Sequence, residues 1–96
     1  MTAFPTTRPE TVLEQHIALM PRYRVLLHND DVNSMDHVVA ALLRVFGFER
    51  SACEAIMLEA HRNGVALCTL EPLEQAEFHR DQLISFSLIA TIEKED

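Results

Sequence analysis

Asn29, Asp30, Asp31 and Asn33 place four short polar side chains within five residues. Carboxylates and amide oxygens at that density accept hydrogen bonds, so the segment suits a cationic group as well as a tight turn. The apolar run Val25-Leu26-Leu27 and then His28 lead straight into it, and a helical pattern opens at Met35. From spacing alone the turn is the stronger reading, because Asn and Asp commonly bond their own backbone. Ser34 is placed to cap the following helix, and Asp36 in its first turn complements the helix dipole. Downstream, Met57 and His61 lie four residues apart, so on a helix they share one face. Taken alone, such a histidine is more often a packing or surface residue than a ligand.

Other chemistries are poorly served. None of His16, His28, His37, His61 and His79 forms an HExxH motif or a Cys/His pair at zinc spacing, and the 31–37 segment lacks the glycine of a calcium loop. No metal or other cofactor is expected. There is no GxSxG elbow, neither cysteine has a histidine partner nearby, and two glycines cannot build a phosphate-cradling loop. No catalytic residue is assigned. Eight basic against fifteen acidic residues give a formal charge of -7, which argues against nucleic acid and for a cationic partner. Cys53 and Cys68 fall in apolar stretches and read as reduced core residues, consistent with a cytoplasmic setting. The chain shows neither a membrane-length apolar run nor a leader pattern in residues 1–20, so no membrane association is expected.

The elements that must position these residues follow from periodicity. Residues 1–20, with Pro5 and Pro9, read as a flexible extension in which 11–19 forms at most a transient helical turn or two. The folded domain spans 21–96. Arg22–His28 alternates as a strand. Residues 35–46 carry helical spacing ended by Gly47, and 49–63 form a second helix ended by Gly64. A strand is expected at 65–70, a helix at 71–83 with Pro72 in its first turn, and a last strand at 88–92. The order β-α-α-β-α-β describes a single α+β domain, with a three-stranded antiparallel sheet and helices on one face.

The strand and loop Val25-Leu-Leu-His-Asn-Asp-Asp31, the segment Met57-Leu-Glu-Ala-His-Arg-Asn-Gly64, Ala66-Leu-Cys68 and Ile89-Ala-Thr-Ile-Glu93 stand in one register over residues 23–92. In that combination the chain closely resembles the ClpS adaptors of the ATP-dependent Clp protease. The resemblance implies an adaptor without catalytic activity. It would bind substrates whose first residue is Phe, Tyr, Trp or Leu (an N-degron) and pass them to a ClpC- or ClpA-type AAA+ unfoldase. On matching positions, Asn29, Asp30 and His61 would contact the substrate's α-amino group. Asn33, Met35, Val38, Met57, Ala60 and Leu88 would line the side-chain pocket, and Glu74 and His79 would dock the unfoldase. Asp31 is assigned to shaping the loop. The N-terminal extension would be presented to the unfoldase during hand-over, and the adaptor is expected to be a monomer. The chain departs from the family pattern at Asn33, where many relatives carry Thr, at His79, where Lys is expected, and in a short connection before the last strand. A rival reading is an interaction module of the same fold that ignores free N-termini. A hydrolase built on Asp30 and His61 ranks last, for want of a nucleophile and oxyanion donors.

Overall fold

The computed structural model describes residues 9–96; the part of the expected extension before Pro9 lies outside the described residues. Strand β1 (Arg22–His28) is the centre of an antiparallel sheet ordered β2-β1-β3, with β2 (Val65–Pro72) and β3 (Ala90–Lys94) on its two sides. Before it lies helix α1 (Pro9–Leu19); α2 (Met35–Phe46) and α3 (Arg50–Asn63) connect β1 to β2, and α4 (Leu73–Ser85) connects β2 to β3. The expected order is observed, with α1 added where only transient turns were expected.

The alternation in β1 is what attaches the sheet to the helices. Val25 and Leu27 point into the core, where they meet Val39 and Leu42 of α2, Cys53 of α3 and Leu83 of α4. Opposite them, β2 buries Ala66 and Cys68. The two lie two residues apart and so share one face of the strand, and a bulge at Val25/Leu26 leaves Cys68 without a register partner. On the outer face of the sheet, Leu67 stands exposed opposite Leu26.

Helix α2 begins where capping chemistry places it. The Ser34 Oγ accepts the His37 N–H at 3.1 Å, satisfying one of the free amides of the first turn. At the other end of α3, Gly64 has φ of 87° and donates its N–H to the Ala60 carbonyl at 2.9 Å. That left-handed turn suits glycine, and it sends β2 back alongside β1.

Several boundaries differ from expectation. Strand β2 runs two residues past 65–70, because Glu71 and Pro72 pair with Tyr23 and Arg22. Pro72 therefore ends a strand and caps α4 instead of filling its first turn, and Glu71 belongs to the strand. Strand β3 starts at Ala90 and not at 88. Ser87 adopts a left-handed φ of 66°, and the Leu88 N–H closes α4 by donating to the Leu83 carbonyl at 3.1 Å. Among the described residues, helix α1 has no extensive contact with any strand or other helix, and Val12, Leu13 and Leu19 are exposed on it. Pro9 stands at its first residue, where a missing N–H costs nothing.

Both cysteines are free and buried. Burial pushes the Cys68 thiol up to about 12 and raises that of Cys53 as well. The thiolate is the reactive form, so neither thiol should react in the native state. With a chromogenic disulfide reagent at pH 8, labelling is expected only on unfolding in guanidinium; rapid labelling of the folded chain would contradict this packing.

Candidate functional site

The end of β1 is tied down on both sides. The His28 N–H donates to the Ile89 carbonyl and the Asn29 N–H to the Gly64 carbonyl, each at 2.9 Å. The second bond brings Asn29 beside the end of α3, which carries His61. Tertiary pairing thus juxtaposes residues that the sequence separates by about thirty positions.

Beyond Asn29 the chain wraps around one carboxylate. Asp30 Oδ1 accepts the N–H groups of Val32 at 2.9 Å and Asn33 at 2.7 Å, an Asx-type turn. Asp30 Oδ2 accepts from the Asn33 side-chain amide at 2.9 Å. The same amide nitrogen donates to the Ser87 carbonyl at 2.8 Å. The side-chain bond from Asn33, followed by the backbone N–H groups of Asn33 and Val32, holds the Asp30 carboxyl below its ordinary value against a smaller opposing effect of burial; nearby His37 adds to the lowering. Asp30 is therefore a carboxylate throughout the neutral range. An ionised carboxylate offers about four acceptor directions, of which the loop occupies three.

Next to this loop is a cavity of about 230 Å³. Its polar part comprises His28, Asn29, Asp30, Asp31, Asn33 and His61, and its apolar part Leu27, Met35, Val38, Met57 and Ala60. Eight of the residues singled out from the sequence meet here: Asn29, Asp30, His61, Asn33, Met35, Val38, Met57 and Ala60. Leu88 does not. It is buried in the core, directly after the left-handed Ser87. Asp31 was assigned to shaping the loop, yet it lines the cavity. Leu27 and His28, strand residues by their alternation, line it too. The sequence signal for Leu27 is its place as the last inward position of the alternation before the loop, and it is buried; His28 also contacts Thr91 Oγ1 of β3 at 2.7 Å.

The cavity is smaller than the roughly 300–1,000 Å³ of pockets for drug-sized ligands, and suits a single large side chain. Met35 is 46% exposed at the start of α2, while Met57 is half-buried on α3. Flexible thioethers can fit several apolar shapes. No group of three or more His, Cys, Asp or Glu able to hold a metal is present among the described residues. Glu74 and His79 lie apart from the cavity on α4. Glu74 is exposed, whereas the half-buried His79 donates its Nδ1–H to Glu71 Oε1 at 2.6 Å and packs against the Phe46 ring, so one ring nitrogen is already engaged.

Residues 18–91 match the family model of the ATP-dependent Clp protease adaptor protein ClpS. The chain belongs to the ClpS family. Among curated relatives, the ClpS adapter of Synechococcus elongatus is 46% identical over 90 residues, covering 93% of each chain. The ClpS adapter of Prochlorococcus marinus is 44% identical, covering 88% of this chain and 86% of its own. The solved structure of Agrobacterium tumefaciens ClpS2 bound to L-phenylalaninamide superposes with a TM-score of 0.72 at 28% identity. It covers 78% of this ClpS-family chain and 98% of the neighbour. The α+β fold is thus the ClpS fold. No helix among the described residues is long and apolar enough to cross a membrane.

Proposed function

We propose that this chain is an N-degron adaptor that binds the first residue of a substrate and delivers it to a ClpC- or ClpA-type AAA+ unfoldase. The carrying observation is a cavity that joins a carboxylate-and-amide rim to an apolar interior sized for one side chain. L-phenylalaninamide, the ligand of the solved relative, has the matching chemistry: a free α-amine and a benzyl group. Asn29, Asp30 and His61 would receive the ammonium, and Met35, Val38, Met57 and Ala60 would surround a Phe, Tyr, Trp or Leu side chain.

The energetics require both halves. A charge-assisted hydrogen bond contributes about 1.5–3 kcal/mol. Burial of a Phe or Leu side chain contributes about 1.5–3 kcal/mol. Micromolar binding needs roughly 8 kcal/mol, so neither contribution suffices by itself. The test is titration of fluorescent peptides beginning with Phe or Leu against N-acetylated copies. Free peptides should bind near micromolar concentration and acetylated ones at least about 100-fold more weakly, since the amine accounts for two or more charged bonds. Equal affinities would leave only the rival reading, an interaction module blind to the free amine.

Affinity should also depend on pH in a defined direction. The ligand's α-amino group loses its proton near pH ~8, so the dissociation constant should rise about tenfold per unit above that. On the acid side, the Asp30 carboxyl is held below its unfolded value. Its contribution to loop stability is therefore complete above the unfolded value and is lost as pH falls through the lower folded one. Anisotropy titrations from pH 6 to 10 measure the alkaline limb; a flat profile there would remove the ammonium from the recognition scheme.

Delivery would use the exposed Glu74 and the neighbouring His79 of α4, with α1 and the residues before it forming the extension presented to the unfoldase. The adaptor would act in the cytoplasm, as a monomer and without catalysis of its own.

A further inference from the structure

Asn33 lines the cavity, yet its amide group is committed elsewhere. Both N–H groups are used, one on Asp30 Oδ2 at 2.9 Å and one on the Ser87 carbonyl at 2.8 Å. The two partners are acceptors, so only the nitrogen can stand between them, and the orientation of the amide is determined by its surroundings. Ser87 is the one non-glycine residue with positive φ among the described residues, a conformation that needs support from its neighbours. That support is visible. The Ser87 N–H donates to the Ile84 carbonyl at 2.9 Å, and Ser87 O receives the Asn33 amide. One residue earlier, the Phe86 carbonyl accepts His37 Nε2–H at 2.7 Å, a second bond from the 30–37 region to the same turn.

We propose that Asn33 is a positioning residue, whose amide holds the Asp30 carboxylate in a single orientation by bracing it against the turn after α4. The inference rests on the amine-binding role proposed for Asp30 and adds to it the device that keeps its remaining acceptor direction free. Without the side-chain bond, Oδ2 would be held by nothing in the loop, and the carboxylate could rotate about Cβ–Cγ as far as its Oδ1 bonds allow. His37 secures the turn, and the turn secures Asn33. The role is distinct from forming a pocket wall that reads the substrate side chain.

The two roles separate in a double-mutant cycle with a peptide bearing an N-terminal Phe. Asn33→Ala should weaken binding about tenfold in the wild-type background and less than about twofold in Asp30→Ala, because a positioning effect vanishes with the group positioned. The loss should be equal for peptides beginning with Phe and Leu. Equal losses in both backgrounds, or a loss confined to one side chain, would overturn the proposal. Asn33→Thr retains one hydroxyl donor and should recover part of the affinity. It also serves if circular dichroism shows that the alanine variant does not fold. Independently of any ligand, carboxyl carbon NMR of the free protein should show the Asp30 titration moving up toward its ordinary position in Asn33→Ala. An unmoved titration refutes the brace. Absence of peptide binding in the wild type would instead count against the adaptor function itself.

Discussion

Asp30→Ala is expected to weaken binding of a peptide with a free N-terminal Phe by roughly 100-fold, which corresponds to about 2.7 kcal/mol. Two losses combine. The ammonium loses its ionised acceptor, a charge-assisted bond of about 1.5–3 kcal/mol. The loop loses the three bonds from Val32 and Asn33 that converge on the carboxylate, so Asn29 and Met35 are no longer held at either end of a fixed turn. The acetylated peptide, which has no ammonium to offer, should bind wild type and variant almost equally weakly. Fluorescence anisotropy with both peptides decides the matter: a loss under threefold for the free peptide would exclude Asp30 as the principal acceptor. Asp30→Asn separates the two losses, since it removes the charge but retains an oxygen able to accept the backbone N–H groups.

The largest effect on stability is expected at Leu27, which is 2% exposed on the central strand and also floors the cavity. Leu27→Ala should cost about 2–5 kcal/mol, the range for truncating a buried leucine whose surroundings relax only in part. For a domain of this size each kcal/mol lowers Tm by about 4–8 °C, so a fall of roughly 10 °C or more is expected in a thermal scan. Because the lost volume adjoins the pocket, the variant should also accept larger first side chains relative to Leu when both are compared below its Tm. A Tm within two degrees of wild type would mean that the strand end is not part of the cooperative core.

Several features were legible in the chain because their causes are local. Ser34 before a helical pattern, Gly47 and Gly64 after two of them, and the alternation of Arg22–His28 each act through neighbours a few residues away, and the structure has all of them in place. The two cysteines were recognisable as core residues from the apolar stretches around them, and both are buried. Boundaries decided by pairing were less accessible. Glu71 and Pro72 would suit the start of a helix by their composition, but Tyr23 and Arg22 at the start of β1 pair with them and draw them into β2. Leu88 shows the same limit. Its type and position suit a pocket wall, yet after the left-handed Ser87 it is buried in the core.

The candidate site divides along the same line. Residue types sufficed to mark Asn29, Asp30 and Asn33 as an acceptor-rich turn, and Met57 and His61 as one face of a helix, because hydrogen-bonding capacity and helical spacing are properties of the residues themselves. That turn and helix are joined by the Asn29 N–H on the Gly64 carbonyl, and the Asn33 amide links the Asp30 carboxylate to Ser87, 54 positions further along the chain. Such contacts arise from the closure of the sheet around β1, and no local preference specifies them. The chain by itself therefore supplied an acceptor-rich loop and apolar side chains, while the tertiary fold brought them together around one cavity.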